Sequence, residues 1–225
     1  MGPGQKAASR SRRSLPRLLR RPNWKVLLSF TVLLALIAGA LLAPVMDLDP
    51  FEQSLRARLQ PPAWQAGGSL AHVLGTDNLG RDMLSRLLYG ARISLTIGFL
   101  AVALAGTIGV VLGLLAGYFG GLTDSIIMRV ADIRLSFPMV LTAILLVSVL
   151  GSSLLNMVVA LGVAGWVEYT RLVRAEVLQR REETYVEAAT ALGAPHRHII
   201  LRHVLPNIAA PILVLATLAV PRMIL

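Results

Sequence analysis

Two long runs without a single charged residue, at positions 26–45 and 93–119, limit what this chain can fold into. About 20 consecutive apolar residues in a helix cross a hydrocarbon core about 30 Å thick, and a water-facing surface tolerates no such stretch. Charged residues make up 15% of the chain and hydrophobic ones 55%. Soluble domains carry about 25% charge, so polar surface is too scarce here for a water-soluble fold. The fold class expected is all-α and integral to the membrane. The first run is followed by more spans and exceeds the core of a typical signal peptide. Ala38-Gly39-Ala40 resembles a cleavage site, but the run reads as a retained helix.

Charge placement sets the orientation. Eight of the 22 Lys and Arg lie between Lys6 and Lys25 with no acid among them. Basic residues gather on the cytoplasmic flanks of spans, which accounts for the net charge of +10 without nucleic acid. Positions 138–150 and 154–166 are short apolar runs divided by Gly151-Ser152-Ser153, and they fit one long helix or a tight pair. Two spans with a cytoplasmic N-terminus place 16 of the 22 basic residues inside, whereas one span gives a weaker asymmetry. Two spans are therefore expected, helices beginning near Asp124 and continuing past Arg171 supplying the missing length. A further span is expected from about Ile208, making five, with Arg222 near its outer end.

The domain reading is a basic cytoplasmic tail at 1–25, a first span at 26–45, an external segment with an amphipathic helix at 46–92, and a core at 93–225. That core includes a cytoplasmic loop at 167–207. Gly109, Gly113 and Gly117 recur every four residues on one helical face and are read as a packing surface for a neighbouring helix. The span cores hold no Asp, Glu, Lys, Arg or His, which argues against a proton- or ion-coupled carrier.

Two segments carry more information. In the loop, Thr184 and Glu187 have capping-box spacing, predicting a helix from Tyr185. Ala188, Ala189, Ala191 and Leu192 favour that helix, Gly193 supplies a left-handed terminator, and Pro195 blocks continuation. The product is a short helix with an alanine-rich surface suited to docking a partner. Ahead of the second span, Gly75-Thr76-Asp77-Asn78-Leu79-Gly80-Arg81-Asp82 precedes Ser85-Arg86 and Tyr89-Gly90-Ala91-Arg92. Asp77 is expected to cap a short amphipathic helix on the outer membrane surface. Asp82 and Arg86 pair on one face of it, with Met83, Leu84, Leu87 and Leu88 on the other.

Glu187-Ala188-Ala189, Gly193 and Leu205-Pro206 resemble the EAA loop of binding-protein-dependent ABC importer permeases. His203 stands where the general pattern has Ile, and His203-Val-Leu-Pro-Asn207 is similar to the dipeptide, oligopeptide and nickel branch. The segment from Gly75 to Asp82 resembles the same branch. The resemblance covers about Trp24 to Thr217. It implies a type I ABC importer transmembrane fold of six spans, about five of them present, so the chain is expected to be C-terminally truncated relative to that family. Either the sequence is incomplete or the protein is a truncated variant.

The resemblance further implies a second permease subunit in a heterodimer, two ABC ATPases and an external solute-binding protein, in the bacterial inner membrane. Thr184, Glu187, Ala188, Ala189 and Gly193 would meet the ATPase, and Leu205 and Pro206 would position the return into the fifth span. Gly75, Thr76, Asp77, Gly80, Arg81 and Asp82 form the family motif before the second span. Dipeptides, oligopeptides, glutathione-like molecules and nickel complexes are the candidate solutes, peptides first.

The only lysines are Lys6 and Lys25, neither in a Gly-Lys-Ser or Gly-Lys-Thr phosphate loop, so ATP and Mg are assigned to a separate subunit. No catalytic residue or cofactor is assigned to this chain. The chain has no cysteine, and His196 and His198 would point to different helical faces, so no metal site is assigned. A secondary transporter or channel would need ionisable groups within its spans or an inverted repeat. A non-transporting scaffold would suit the basic tail but leaves the spacing from Glu187 to Pro206 unexplained.

Overall fold

The computed structural model describes residues 24–45 and 49–225, all of it helix and connecting loop without a named strand. The basic tail read at 1–25 lies, apart from Trp24 and Lys25, outside the described residues. The chain divides into two units, the first ending at Tyr89 and the second running Gly90–Leu225.

In the first unit, α1 spans Trp24–Leu42 and is apolar all round, with almost every side chain exposed. A helix of this kind finds its counterpart in lipid rather than in its own chain. After a short 3-10 turn at Ala43–Val45, positions 49–82 form a loop-rich segment with one further 3-10 turn, Leu55–Ala57. Helix α2 then runs unbroken over Met83–Phe119, 37 residues or about 55 Å at 1.5 Å per residue, and carries the chain into the second unit. The sequence led us to expect a separate amphipathic helix before a span at 93. The structure instead joins Met83–Arg92 to that span, because no proline interrupts the helical pattern anywhere from Met83 to Phe119.

The second unit contains α3 (Gly121–Leu135), α4 (Met139–Leu150), α5 (Leu154–Arg180), α6 (Thr184–Ala191) and α7 (His196–His198). A π-helical turn at Ile199–Val204 follows, then α8 (Leu205–Ile224). The two short apolar runs form a tight pair: α4 ends at Gly151 with φ +90°, and Ser153 caps α5 through the Asn156 N–H. Asn156 Nδ2 reaches back to the carbonyls of Leu150 and Gly151 and ties the turn together. Helix α5 continues past Arg171 to Arg180.

Asp124 does not begin a straight span. α3 and α4 meet at 87° across Ser136-Phe137-Pro138. Pro138 has no N–H to donate and its ring disfavours a helical Phe137, so the helix breaks at that point. Among the described residues three helical stretches are long and apolar enough to cross a membrane: Trp24–Val45, Met83–Phe119 and His196–Ile224. The bent α3–α4 pair adds a fourth if it counts as one broken span. The fourth expected span, read at 154–166 and now part of α5, loses its apolar character from Glu168 onward. The last span starts earlier than Ile208, because the helical path from His196 leads into α8 without interruption.

Three apolar clusters hold the second unit together. The first joins Leu114 of α2 to Val173 and Val177 of α5, Val186 of α6, Ile199 and Val204 of the π turn, and Ile208 of α8. The second centres on Ala101, Ala105, Tyr169 and Met223, and the third on Ala131, Trp166 and Val167. Gly109, Gly113 and Gly117 lie along α5. A Cβ on Gly113 would stand 2.7 Å from Val173 Cβ, and one on Gly117 2.8 Å from Val177 Cβ. A Cβ on Gly109 would strike Tyr169 and the Trp166 carbonyl. Small residues let two helices approach this closely where no hydrophobic effect drives them together.

Candidate functional site

The loop after α5 builds a helix that stands on the unit but belongs to its core. Val186 is 4% exposed and sits in the first cluster, and Ala189 packs against that cluster. Thr184, Glu187, Ala188, Ala191 and Leu192 are exposed, Leu192 by 88%. One side of α6 is thus anchored and the other is open.

The ends of α6 follow from local chemistry, with one correction. The N-cap is Glu183, in extended conformation, and no side chain caps the helix, so the Thr184–Glu187 capping box does not form. Thr184 already lies in the first turn, one residue ahead of the expected start, where its hydroxyl cannot serve as an N-cap. Glu187 still favours the helix by standing in its first turn, near the positive end of the dipole. At the other end Gly193 has φ +77°. The Gly193 N–H donates to the Thr190 carbonyl at 2.9 Å and the Ala194 N–H to the Ala189 carbonyl at 3.1 Å. The second of these is the 6→1 bond of a Schellman stop, which places its terminator in the left-handed region open to glycine.

The return into α8 is fastened to α6. Asn207 Nδ2 donates to the His203 carbonyl at 2.6 Å and to the Tyr185 hydroxyl at 3.4 Å. His203, the departure from the general pattern, stacks obliquely on Tyr185 with ring centroids 6.3 Å apart. Leu205 packs on the first cluster, and Pro206 stands at the start of α8, directly after the π turn at Ile199–Val204. His196 and His198 do face different neighbours. The Tyr118 hydroxyl and His196 Nδ1 lie 3.0 Å apart, and the His198 ring meets the His203 ring. Among the described residues no cluster of three or more His, Asp or Glu could hold a metal.

In the first unit, the segment Gly75 to Asp82 closes into a hydrogen-bonded knot. Thr76 is 7% exposed; its hydroxyl accepts from the Gln60 N–H at 2.9 Å and donates to the Ala57 carbonyl. Asp77 does not cap a helix. Its Oδ1 accepts from the N–H groups of Leu79 (2.8 Å) and Arg81 (3.0 Å), and its Oδ2 from Arg81 Nε (2.8 Å) and Arg86 Nη1. Burial pushes the Asp77 carboxyl up, but the Arg81 and Leu79 N–H groups and the Arg81 guanidinium outweigh it and hold it at about 2.

The helix cap is Asp82, whose Oδ2 accepts from the Ser85 N–H and hydroxyl, both at 2.7 Å. The expected Asp82–Arg86 pair is absent because each residue has another partner. Arg86 turns to Asp77, and Asp82 Oδ1 meets His72 Nδ1 at 3.1 Å. Burial raises the Asp82 carboxyl as well, and the two Ser85 bonds with His72 bring it below the usual value. Gly75 and Gly80 have φ +78° and +74°, and a Cβ on Gly80 would run into the Ser54 backbone.

Sequence reasoning missed a cluster of charge inside the second unit. Arg222 does not stand alone near an outer end: its Nη1 meets Glu168 of α5 at 3.0 and 3.1 Å. Arg134, at the bend between α3 and α4, donates from Nη1 to the Phe137 carbonyl at 2.9 Å and from Nη2 to the Ala164 carbonyl of α5. A basic residue four positions before a helix-breaking proline was the available signal. Two more pairs, Arg174–Asp124 and Arg171–Asp132, fasten α3 to α5.

Apolar helices long enough to cross a membrane, a closely packed helix pair and an anchored loop helix define the class: a multi-span helical membrane protein. The chain belongs to the family of binding-protein-dependent transport system inner membrane components, whose family model matches residues 109–225, and its all-α architecture is the type I ABC importer transmembrane fold. It is 42% identical over 199 residues to the dipeptide transport system permease protein DppC of Haemophilus influenzae, covering 88% of this chain and 67% of that one. It is 43% identical over 188 residues to the di/tripeptide transport system permease protein DppC of Pseudomonas aeruginosa, covering 83% and 62%. With the oligopeptide transport system permease protein OppC of Bacillus subtilis it shares 38% over 202 residues, covering 89% and 64%. The chain therefore spans about two thirds of the length of these relatives.

Proposed function

We propose that this chain is a membrane-spanning permease subunit of an ATP-driven, binding-protein-dependent importer for peptides. It forms half of the path and receives the energy of ATP hydrolysis from a separate ATPase. The observation that carries this reading is α6, anchored through Val186 and Ala189 while Thr184, Glu187 and Ala188 remain exposed. A helix anchored this way passes a push on its open side into α5, the π turn and α8, all of which share the first cluster. Peptide as the solute follows the names of the relatives. A second permease, two ATPases and an external solute-binding protein complete the assembly, with ATP and Mg held by the ATPases. We assign the loop carrying α6 to the cytoplasm, the side that the arginine distribution favours.

The test is a pull-down of the tagged full-length chain in detergent, unmodified and with Glu187→Ala plus Gly193→Trp. Any side chain at Gly193 must adopt φ +77°, at about 1–2 kcal/mol, yet a Cβ there meets nothing within 4 Å. The double variant therefore deforms the open end of α6 and leaves the unit's core untouched. The unmodified chain is expected to recover an ATPase and a second permease; the double variant is expected to keep the permease and lose the ATPase. Equal recovery of the ATPase by both would place the coupling contact elsewhere.

A further inference from the structure

The bend between α3 and α4 opens a cavity of about 220 Å³ against α5 and α8, lined by Arg134, Pro138, Gly165, Glu168, Tyr169 and Arg222 among others. Its polar lining is incompletely satisfied. Arg134 uses both terminal nitrogens on carbonyls, but its Nε is buried without a partner, and among the described residues it makes no ion pair. Tyr169 is 1% exposed, and its hydroxyl is likewise buried with no partner among the described residues. On the rim, the Glu168–Arg222 pair is more than half exposed on both sides. Two cations and one anion leave the cavity with one uncompensated positive charge.

The two carbonyl bonds of Arg134 tie the bend to α5 but leave its charge without an anion. An exposed pair such as Glu168–Arg222 contributes about 0–1 kcal/mol, and a desolvated guanidinium without an anion is a net cost. Orphaned buried donors beside an unpaired cation, in a cavity, are the features of a site that takes an anionic oxygen ligand. The negative rim residue narrows the choice. A polyanion such as a phosphate headgroup would be repelled by Glu168, whereas a zwitterion would place an ammonium against it.

We infer that this cavity binds one end of a small zwitterionic solute, its carboxylate on Arg134 and Tyr169 and its ammonium toward Glu168. The inference rests on the importer reading for its solute. Sites that enclose a drug-sized ligand run to about 300–1,000 Å³, so a cavity of about 220 Å³ takes the end of a peptide and leaves the remainder outside. On this inference the permease itself discriminates among solutes, by the charge of the terminus it receives.

The experiment is equilibrium dialysis of alanyl-alanine and alanyl-alaninamide against the tagged full-length chain, purified in detergent with the subunits it carries and without the binding protein. The acid is expected to bind about tenfold tighter than the amide, the worth of a charge-assisted hydrogen bond. Arg134→Gln is expected to abolish that preference and Arg134→Lys to keep part of it. Because Arg134 also ties the bend to α5, Tyr169→Phe is the second variant. It removes a hydroxyl without a hydrogen-bond partner among the described residues, and it is expected to weaken binding of the acid severalfold with no change in thermal stability. Equal binding of acid and amide, or a preference that survives both Arg134→Gln and Tyr169→Phe, would overturn the inference. Preferential binding without peptide uptake by the reconstituted importer would support the cavity and overturn the import reading. Uptake without any preference would overturn the cavity alone.

Discussion

Gly113→Ala tests the packing of α2 on α5 most directly. The added Cβ would lie 2.7 Å from Val173 Cβ, 2.8 Å from the Thr170 carbonyl oxygen and 2.9 Å from Val173 Cγ1. Carbon atoms rest about 3.5–4.0 Å apart, so the helices must separate locally by about 1 Å, enough to forfeit about a quarter to a half of each dispersion contact across the seam. Overpacking of this kind costs about 1–3 kcal/mol. The substitution also removes the entropic cost of glycine in a helix, a gain of about 0.8–1.0 kcal/mol. Gly90→Ala isolates the two effects: Gly90 lies in the same helix, and a Cβ there meets nothing within 4 Å. Both variants share the propensity gain, so their difference reports the overpacking alone. Thermal unfolding of the full-length chain in detergent should place Gly113→Ala below Gly90→Ala by about 2–12 °C, at about 2–4 °C per kcal/mol for a chain of this size. Equal midpoints would refute the argument that the glycine face exists to admit α5.

Asp77→Asn is expected to loosen the loop-rich segment, seen as faster amide exchange at Leu79 and Arg81, whose N–H groups the carboxylate holds. The same segment should respond to acid in a defined direction. The Asp77 carboxyl is lowered from 3.8 to about 2, so its contribution is complete above about pH 4 and is lost as pH falls through about 2. Protection that vanished well above pH 4 would contradict the assignment. For the pair fastening α3 to α5, a double-mutant cycle of Asp124→Asn and Arg174→Gln should give a coupling of about 1 kcal/mol, since both side chains are partly exposed, at 20% and 32%. Additive effects would mean that the pair contributes no stability.

Local rules explain why much of this molecule is legible in its sequence. Runs of apolar residues fix where helices cross lipid. The Gly193 stop and the Gly151–Ser153 turn each depend on a few adjacent residues with restricted backbones, whereas the break before Pro138 escapes a reading that carries a helix from Asp124 through it. Glycines at intervals of four mark a close-packed face whatever the neighbour is. The local reading fails where two partners compete for one side chain. Thr184 and Glu187 have capping-box spacing, yet Glu183 takes the N-cap position and the helix starts a residue early. Asp82 and Arg86 have pair spacing, yet Asp82 caps α2 and meets His72 while Arg86 goes to Asp77.

By itself, then, the sequence determined the solvent this chain folds in, its helical class, its small-residue seam and its family motifs. All of these rest on interactions within about one or two helical turns. Tertiary structure alone decided that α3 and α4 meet at 87°, that Arg222 finds Glu168 54 positions away, and that Arg134 reaches across to α5. Long side chains take whichever partner helix packing brings within hydrogen-bond reach, and that distance is set by the three-dimensional path of the backbone, which no spacing along the chain encodes.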